Sequence, residues 1–131
     1  MEKARQQGFT LLELMITVVV VGILSSIAVV TYSSYLQSSR QSALDQNVQQ
    51  LVLAEDSYFY ENGAFLEGTY SKSDTAFGEA LGWTPDNEDG TFIYKVTACA
   101  GGTLATCFTI TAKDVDEKVT ATFTRDRSLG L

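Results

Sequence analysis

The residue whose chemistry most needs an explanation is Glu13, an acidic residue near the start of a long apolar segment. Glu13 is the only residue with a formal charge between Phe9 and Val30. A carboxylate placed in or beside the hydrocarbon of a bilayer is costly unless a positive group compensates it. Glu13 is therefore a candidate functional residue, and its partner must be found.

A partner for Glu13 arises if the chain is cut between Gly8 and Phe9. Phe9 then carries a free α-ammonium group, and Glu13 follows four residues later, about one helical turn away. The helix dipole also favours a negative side chain at this end. The carboxylate then has two candidate partners, the ammonium group of its own chain and that of a neighbouring copy. Pairing with the neighbour would make Glu13 an assembly device.

The segment from Phe9 to Val30 is long and apolar enough to cross a membrane. A helix of this length reaches roughly 33 Å, against about 30 Å for the hydrocarbon core of a bilayer. A single span must be helical in lipid, and Lys3 and Arg5 before it predict a cytoplasmic N-terminus. A secretory signal peptide cleaved near Ser25–Ala28 and a plain membrane anchor are the alternatives. Neither alternative explains Glu13.

Composition argues against several classes of function. The 131-residue chain has 9 basic and 16 acidic residues and no histidine, which suits one acidic domain. Such a surface repels phosphate backbones, so strong general nucleic-acid binding is not expected. No nucleophile paired with a base, phosphate-binding loop or metal-ligand set is evident, so neither an enzyme nor a cofactor is predicted. Glu55 and Asp56 are interpreted as part of a solvated helix face.

The stretch GFTLLELMITVVVVGILSSIAVV, which begins at Gly8, resembles the N-terminal signature of type IV pilins and related pilin-like proteins. The resemblance extends along the apolar helix to about Tyr35. It implies that a membrane prepilin peptidase cuts after Gly8 and methylates the new N-terminus at Phe9. It also implies that Glu13 is the assembly carboxylate.

The resemblance further implies partners and a location. The chain would lie in the inner membrane as a prepilin and then polymerise, through an inner-membrane assembly platform, with other pilin subunits into an extracellular filament. One feature departs from the family, since many members have a proline about where Val30 stands and their helix loosens between it and a glycine. Here Gly22 is present and the only proline is Pro85. Any loosening is therefore smaller or centred on Gly22.

After the apolar segment the helical pattern becomes amphipathic. Apolar residues at three-and-four spacing predict one helix from about Phe9 to about Tyr60, ended by Glu61-Asn62-Gly63. The predicted divisions are a cleaved leader (1–8), a membrane or filament-core half of the helix (9–30) and a head domain (31–131). Tyr58 and Phe59 are expected to pack on the head.

The remaining residues predict a loop and a small sheet. Residues 61–91 are interpreted as a loop with one short helix near 75–81, pinned to the core by Phe77 and Trp83. The acidic run 86–90 is interpreted as a solvated turn, because it lacks the ligand spacing of a calcium loop. Alternating residues predict strands at 92–98, 107–112 and 119–125. The expected fold is α+β, an antiparallel meander against the second half of the helix, as the pilin resemblance also implies.

Cys99 and Cys107 lie at facing ends of two predicted strands. That placement favours a disulfide, since strand ends across a hairpin bring Cβ atoms within bonding distance and a head outside the inner membrane is in an oxidising compartment. Two reduced buried thiols are the alternative. In many pilins a disulfide encloses a loop near the C-terminus, whereas this pair would join a hairpin. A metal site is not predicted.

Three functions remain open at this point. The first is a structural subunit of a type IV pilus serving motility, adhesion or DNA uptake. The second is a pseudopilin of a type II secretion system, whose main member usually lacks a cysteine pair and binds calcium; calcium on Asp86, Asp89 or Asp114 would favour it. The third is a DNA-binding minor pilin, which the acidic composition argues against.

Overall fold

The structure is a computed structural model that describes residues 7–86 and 91–129. The chain divides into two compact units, Met1–Leu36 and Gln37–Leu131. The described residues contain two α-helices, four strands and a short 3-10 helix: α1 (Leu11–Asn62), β1 (Gly68–Tyr70), α2 (Ala76–Leu81), β2 (Phe92–Ala98), β3 (Cys107–Asp114), β4 (Thr120–Asp126) and the 3-10 helix Arg127–Leu129. The predicted α+β class is confirmed.

Helix α1 is one continuous helix that contributes to both units. It begins directly after Thr10 and ends before Gly63, whose φ of 77° lies in the left-handed region that glycine adopts without strain. The N–H of Gly63 donates to the carbonyl of Phe59 at 2.7 Å and so satisfies one of the last free carbonyls. The observed end lies two residues beyond the predicted one, within the usual uncertainty of helix boundaries.

The four strands form one antiparallel sheet in the order β1-β2-β3-β4. Strand β2 has the predicted bounds, while β3 ends two residues beyond its predicted end and β4 is shifted by one residue. Strand β1 was not predicted, because three residues carry too little alternation to stand out from a loop. The register places Val96 opposite Ile110, and Ile110 opposite Phe123. Side chains of alternate residues therefore share one face across three strands.

The core of the second unit lies between this sheet face and the helix residues that follow Gln37. Helix α1 contributes a stripe at three-and-four spacing: Leu44, Val48, Leu51 and Val52. The sheet contributes the buried residues Phe92, Tyr94, Val96, Phe108, Ile110 and Ala112. Burial of this apolar surface is the main term that stabilises the unit.

The segment between α1 and β2 is held down by aromatic side chains, as predicted. Phe77 and Trp83 are buried, and the Trp83 ring lies 5.2 Å from the Tyr94 ring and 5.3 Å from the Tyr70 ring. Gly78 is needed here, because a Cβ at this position would lie 2.5 Å from the carbonyl oxygen of Trp83. The part of this segment around α2 therefore packs on the core.

The buried Asn47 binds the backbone of Asp86 in the same segment. Its side-chain oxygen accepts from the N–H of Asp86 at 3.0 Å, and its amide donates to the carbonyl of Asp86 and to the hydroxyl of Tyr94. A buried amide with these partners carries little desolvation penalty. Residues 87–90 of the predicted acidic turn lie outside the described residues.

Candidate functional site

The predicted cleavage junction precedes the first helical turn. Gly8 and Phe9 are outside the helix, both are exposed, and 92% of the Phe9 surface is accessible. A protease needs an extended and accessible backbone, and residues 7–9 precede the first helical hydrogen bond, which the carbonyl of Thr10 accepts from the N–H of Leu14 at 3.2 Å. The junction is therefore accessible in this chain.

Glu13 lies in the first turn of α1 and is held there by Thr10. The Glu13 carboxylate accepts from the N–H of Thr10 at 2.9 Å and from its hydroxyl at 3.2 Å, and the Thr10 hydroxyl accepts from the N–H of Glu13 at 3.2 Å. This reciprocal arrangement is a capping box, in which the N-cap residue and the third helical residue satisfy each other's N–H groups. In the isolated chain the carboxylate is thus positioned by its own helix start, close to where the amino group of a cleaved Phe9 would stand.

The helix that follows exposes its apolar side chains all round. Among the described residues one helix, α1, is long and apolar enough to cross a membrane, and none of its most apolar window is buried within the chain. Its exposed large residues include Leu14, Val18, Val21, Ile23, Leu24 and Ile27. A monomer in water does not keep such a surface exposed, so this segment requires lipid or other helices around it.

Hydroxyl side chains in this part of the helix need no hydrogen-bond partner from lipid or from a neighbouring chain. The Oγ atoms of Ser25 and Ser26 both donate to carbonyls within the preceding turn at 2.7 Å, and those of Thr17, Thr31 and Ser33 do the same at 2.8–3.1 Å. Such back-bonding satisfies a polar group in hydrocarbon. Glu13 is consequently the strongest polar group that the segment presents.

Gly22 lies in uninterrupted helix, and so does Val30. A Cβ atom at Gly22 would meet nothing within 4 Å in the isolated chain, so no intramolecular contact explains the glycine. The expected loosening of the helix at Gly22 stays a prediction about the assembled state.

Two arginine–carboxylate pairs join α1 to the sheet in the second unit. The Arg40 guanidinium lies 3.1 Å from the carboxylate of Asp114, whose side chain is only 2% exposed. Arg125 donates to both carboxylate oxygens of Asp56 at 2.7 and 3.3 Å, a bidentate geometry. The interpretation of Asp56 as part of a solvated face is therefore wrong, because β4 places an arginine over it.

Glu55 also departs from that interpretation, since its side chain is fully buried. One carboxylate oxygen accepts from the N–H of Leu66 at 2.9 Å, and the other has no partner among the described residues. Burial raises the pKa of Glu55 to about 7, the Leu66 hydrogen bond lowers it and the nearby charge of Asp56 raises it. Desolvation wins because one hydrogen bond does not replace full hydration.

The two cysteines are bonded to each other. Cys99 and Cys107 form a disulfide with Cα atoms 5.6 Å apart, within the usual range. The bridge closes the loop between β2 and β3, while β4 lies outside it. Among the described residues no group of three acidic, histidine or cysteine side chains is arranged to hold a metal ion.

The residues named for a calcium site have protein partners or lie outside the described part of the chain. The Asp86 carboxylate accepts from the Gln50 side chain at 2.8 Å, and Asp114 is paired with Arg40. Asp89 falls outside the described residues. The described part therefore brings no acidic ligand set together.

The positions of some of these residues could have been predicted from the sequence. Thr10 and Glu13 have the T-x-x-E spacing of a capping box before an apolar run. Glu55 continues the buried stripe, four residues after Leu51 and seven after Val48. The Arg40–Asp114 and Asp56–Arg125 pairs have no local signal, because their members lie far apart along the chain.

Comparison with known proteins identifies the N-terminal segment. Residues 3–29 match the family model described as the prokaryotic N-terminal methylation motif. The chain is 32% identical over 134 residues to a type IV major fimbrial protein FimA of Dichelobacter nodosus, covering 98% of this chain and 78% of that protein. No solved structure matches the chain significantly.

Two further relatives bear on the role of the chain. It is 33% identical over 97 residues to the type IV major pilin protein PilA of Myxococcus xanthus, covering 74% of this chain but only 40% of that protein. It is 35% identical over 65 residues to the type II secretion system core protein G of Aeromonas hydrophila, covering 50% of this chain and 46% of that protein. Among these relatives, only the Dichelobacter protein is matched over more than two thirds of its own length.

Proposed function

Because this chain belongs to the type IV pilin family, we propose that it is a structural subunit of a type IV pilus. The observation that carries the proposal is the exposed apolar part of α1 up to Val30, in which the one formally charged residue, Glu13, lies in the first turn. Such a helix is stable only in lipid or among other helices. A pilin is in lipid before assembly and among the helices of other subunits after assembly.

In the first state the chain spans the inner membrane with its N-terminus in the cytoplasm. Prepilin peptidase cuts between Gly8 and Phe9, and the new amino group of Phe9 is methylated. The matched methylation motif and the exposure of both residues support this step. Removal of residues 1–8 leaves a positive charge next to Glu13.

In the second state Glu13 pairs with the amino terminus of a neighbouring subunit. An acid in an apolar medium gains most from a partner that carries the opposite charge. The apolar surface around it is buried in the bundle at the filament centre, at about 25 cal/mol per Å². The contact is heterologous, so repetition builds a fibre and not a closed ring. The role is structural and not catalytic, and the partners are other pilin subunits and the inner-membrane assembly platform.

The substitution Glu13→Ala tests this assignment. The variant should insert in the membrane and be cut and methylated, while its filament yield falls about tenfold or more, which corresponds to a loss of at least about 1.4 kcal/mol per contact. Glu61→Ala, which removes an exposed carboxylate near the other end of α1, is the matched control and should assemble normally. Mass spectrometry of sheared filaments should find a mature chain that begins with methylated Phe9. Normal yield from Glu13→Ala would remove the basis of the proposal.

A second candidate is a pseudopilin of a type II secretion system. The match to core protein G of Aeromonas hydrophila favours it. The disulfide and the protein partners of Asp86 and Asp114 support the pilus subunit instead. Calcium titration of the full chain distinguishes the two, because only the second candidate predicts that calcium stabilises the fold.

A further inference from the structure

Two exposed tyrosines follow the apolar segment of α1 directly. Tyr32 and Tyr35 come two and five residues after Val30, and their spacing of three places them on the same side of the helix. Their side chains are 63% and 67% exposed, and within the described part of the chain neither has a hydrogen bond or a ring contact. Packing inside the chain therefore does not explain why aromatic residues stand at this point.

The length of the helix gives the depth of both tyrosines in a bilayer. The helical residues from Leu11 to Val30 extend about 30 Å, which is the thickness of the hydrocarbon core. When this segment fills the core, Tyr32 lies about 3 Å and Tyr35 about 7 Å beyond it along the helix. The headgroup layer on each side is about 5–7 Å thick. Both tyrosines therefore lie in the headgroup layer on the periplasmic side.

Tyrosine suits this layer, and the flank offers no other anchor. Its ring is apolar and its hydroxyl is polar, so it is favoured where lipid tails meet headgroups. Lysine and arginine hold many spans in place from outside, but no residue from Thr31 to Ser39 has a formal charge. The first charged residue is Arg40, about 15 Å beyond Val30 along the helix, and its guanidinium is paired with Asp114.

We propose that Tyr32 and Tyr35 bind the lipid headgroup layer and fix the depth at which the apolar segment lies. The hydroxyls bond to headgroup oxygens and water, while the rings pack on the ends of the lipid tails. A shift of the helix toward the cytoplasm would bury both hydroxyls in hydrocarbon, and a shift the other way would expose apolar residues to water. The same depth keeps Glu13 within about one helical turn of the cytoplasmic boundary. This anchor rests on the membrane-inserted state of the proposed function but not on filament assembly.

The depth of a spin label in vesicles tests the anchor. The full chain with Ser34→Cys carries a nitroxide and is inserted at low density into vesicles of phosphatidylcholine and phosphatidylglycerol. The two native cysteines are bonded to each other, so only the new thiol reacts. Collision rates with oxygen and with a water-soluble nickel chelate report the depth. Adding Tyr32→Leu and Tyr35→Leu should draw the label roughly 5 Å, one helical turn, deeper, because the apolar run then continues to Leu36. Tyr32→Trp with Tyr35→Trp should leave the depth unchanged, because tryptophan is also favoured in the headgroup layer.

The matched control adds two leucines to the same flank and keeps both tyrosines. Thr31→Leu with Ser33→Leu removes only hydroxyls that donate to carbonyls of the same helix, so no group loses a partner outside it. The label on residue 34 should keep its depth, because both phenol hydroxyls still need the headgroup layer. Equal shifts in this control and in the tyrosine-to-leucine variant, or no shift in either, would overturn the proposal.

Two further readouts separate this proposal from the proposed function. A nitroxide on Val21→Cys should lie in hydrocarbon, since this residue is near the middle of the segment. A label exposed to water there would show that the chain does not span the bilayer, and the membrane-inserted state would fall together with the anchor. An unchanged depth of the residue 34 label, combined with a reduced filament yield of the tyrosine-to-leucine variant, would assign the rings to a neighbouring subunit. That result would overturn the anchor and leave the proposed function standing.

Discussion

At the scale of single residues, Glu55 has an unusual position for a carboxylate. It is fully buried on the stripe of α1 that faces the sheet, and it joins the helix to the N–H of Leu66 in the following segment. The interaction fixes where the chain turns back after the helix. It also places an ionisable group where its charged form is poorly solvated.

Glu55→Gln should change how stability depends on pH. Burial raises the pKa of Glu55 from 4.5 to about 7, so between these pH values the folded chain holds a proton that the unfolded chain releases. The free energy of unfolding of the wild-type chain therefore decreases as pH rises through this window, by at most about 3 kcal/mol. The variant keeps an oxygen for the Leu66 N–H and lacks this decrease.

Urea unfolding of the two chains in detergent, followed by Trp83 fluorescence on both sides of this pH window, measures the effect. Above pH 7 the Glu55→Gln variant should be the more stable of the two. Glu67→Gln removes an exposed carboxylate nearby along the chain and serves as the control. Parallel stability curves for wild type and Glu55→Gln would show that Glu55 titrates at its ordinary pKa.

At the scale of elements, α1 and the sheet are joined by charge as well as by apolar contact. The Arg40–Asp114 pair connects α1 to the end of β3, and the Asp56–Arg125 pair connects it to β4. The two pairs lie sixteen residues apart along α1 and so fix the helix at two positions on the sheet. Apolar packing alone specifies such a position less sharply, because it is not directional.

Arg40→Ala should lower the free energy of unfolding by about 2 kcal/mol, because it leaves the buried carboxylate of Asp114 without its cation. The double variant Arg40→Ala/Asp114→Asn should recover at least half of that loss, since the neutral amide costs less to bury. Lys113→Ala breaks an exposed ion pair with Glu117 and should cost less than about 1 kcal/mol. Equal losses for Arg40→Ala and Lys113→Ala in urea unfolding would contradict this explanation.

The elements differ in how far the sequence predicts them. The second half of α1 and strands β2, β3 and β4 follow from periodicity, because each has a more buried and a more exposed side. The first half of α1 follows from its long apolar run. Strand β1 exists only because Gly68–Tyr70 meets Tyr94–Val96 from a distant part of the chain. The same holds for the Arg40–Asp114 pair. Such long-range contacts cannot be predicted from local sequence patterns. The candidate role of Glu13 and the pairing of the cysteines could be predicted, because they depend on residues close together in the sequence.

At the scale of the whole molecule, the chain consists of two units with opposite surface character. The unit that ends at Leu36 exposes apolar side chains, while all the buried core residues belong to the unit Gln37–Leu131. The second unit therefore has what an independent fold requires: its own core, a complete sheet and a disulfide.

A chain that begins at Gln37 should be soluble without detergent and should unfold in one cooperative transition. The reason is that truncation removes the exposed apolar segment and leaves the core untouched. Circular dichroism during heating and sedimentation velocity measure the two properties, with the full chain without detergent, which should aggregate, as the control. A truncated chain with no cooperative transition would mean that the first unit contributes to folding of the second.

The back-bonded hydroxyls of α1 have a consequence for how neighbouring subunits find their alignment. The hydroxyls of Ser25, Ser26 and Thr31 donate to carbonyls of the same helix. The apolar part of α1 therefore offers a neighbouring helix few groups for directional hydrogen bonds. Dispersion forces hold such helices together but let them slide and rotate past one another at little cost. We therefore expect the axial step of a fibre made from such helices to be set by Glu13, the charged residue in the first turn of α1.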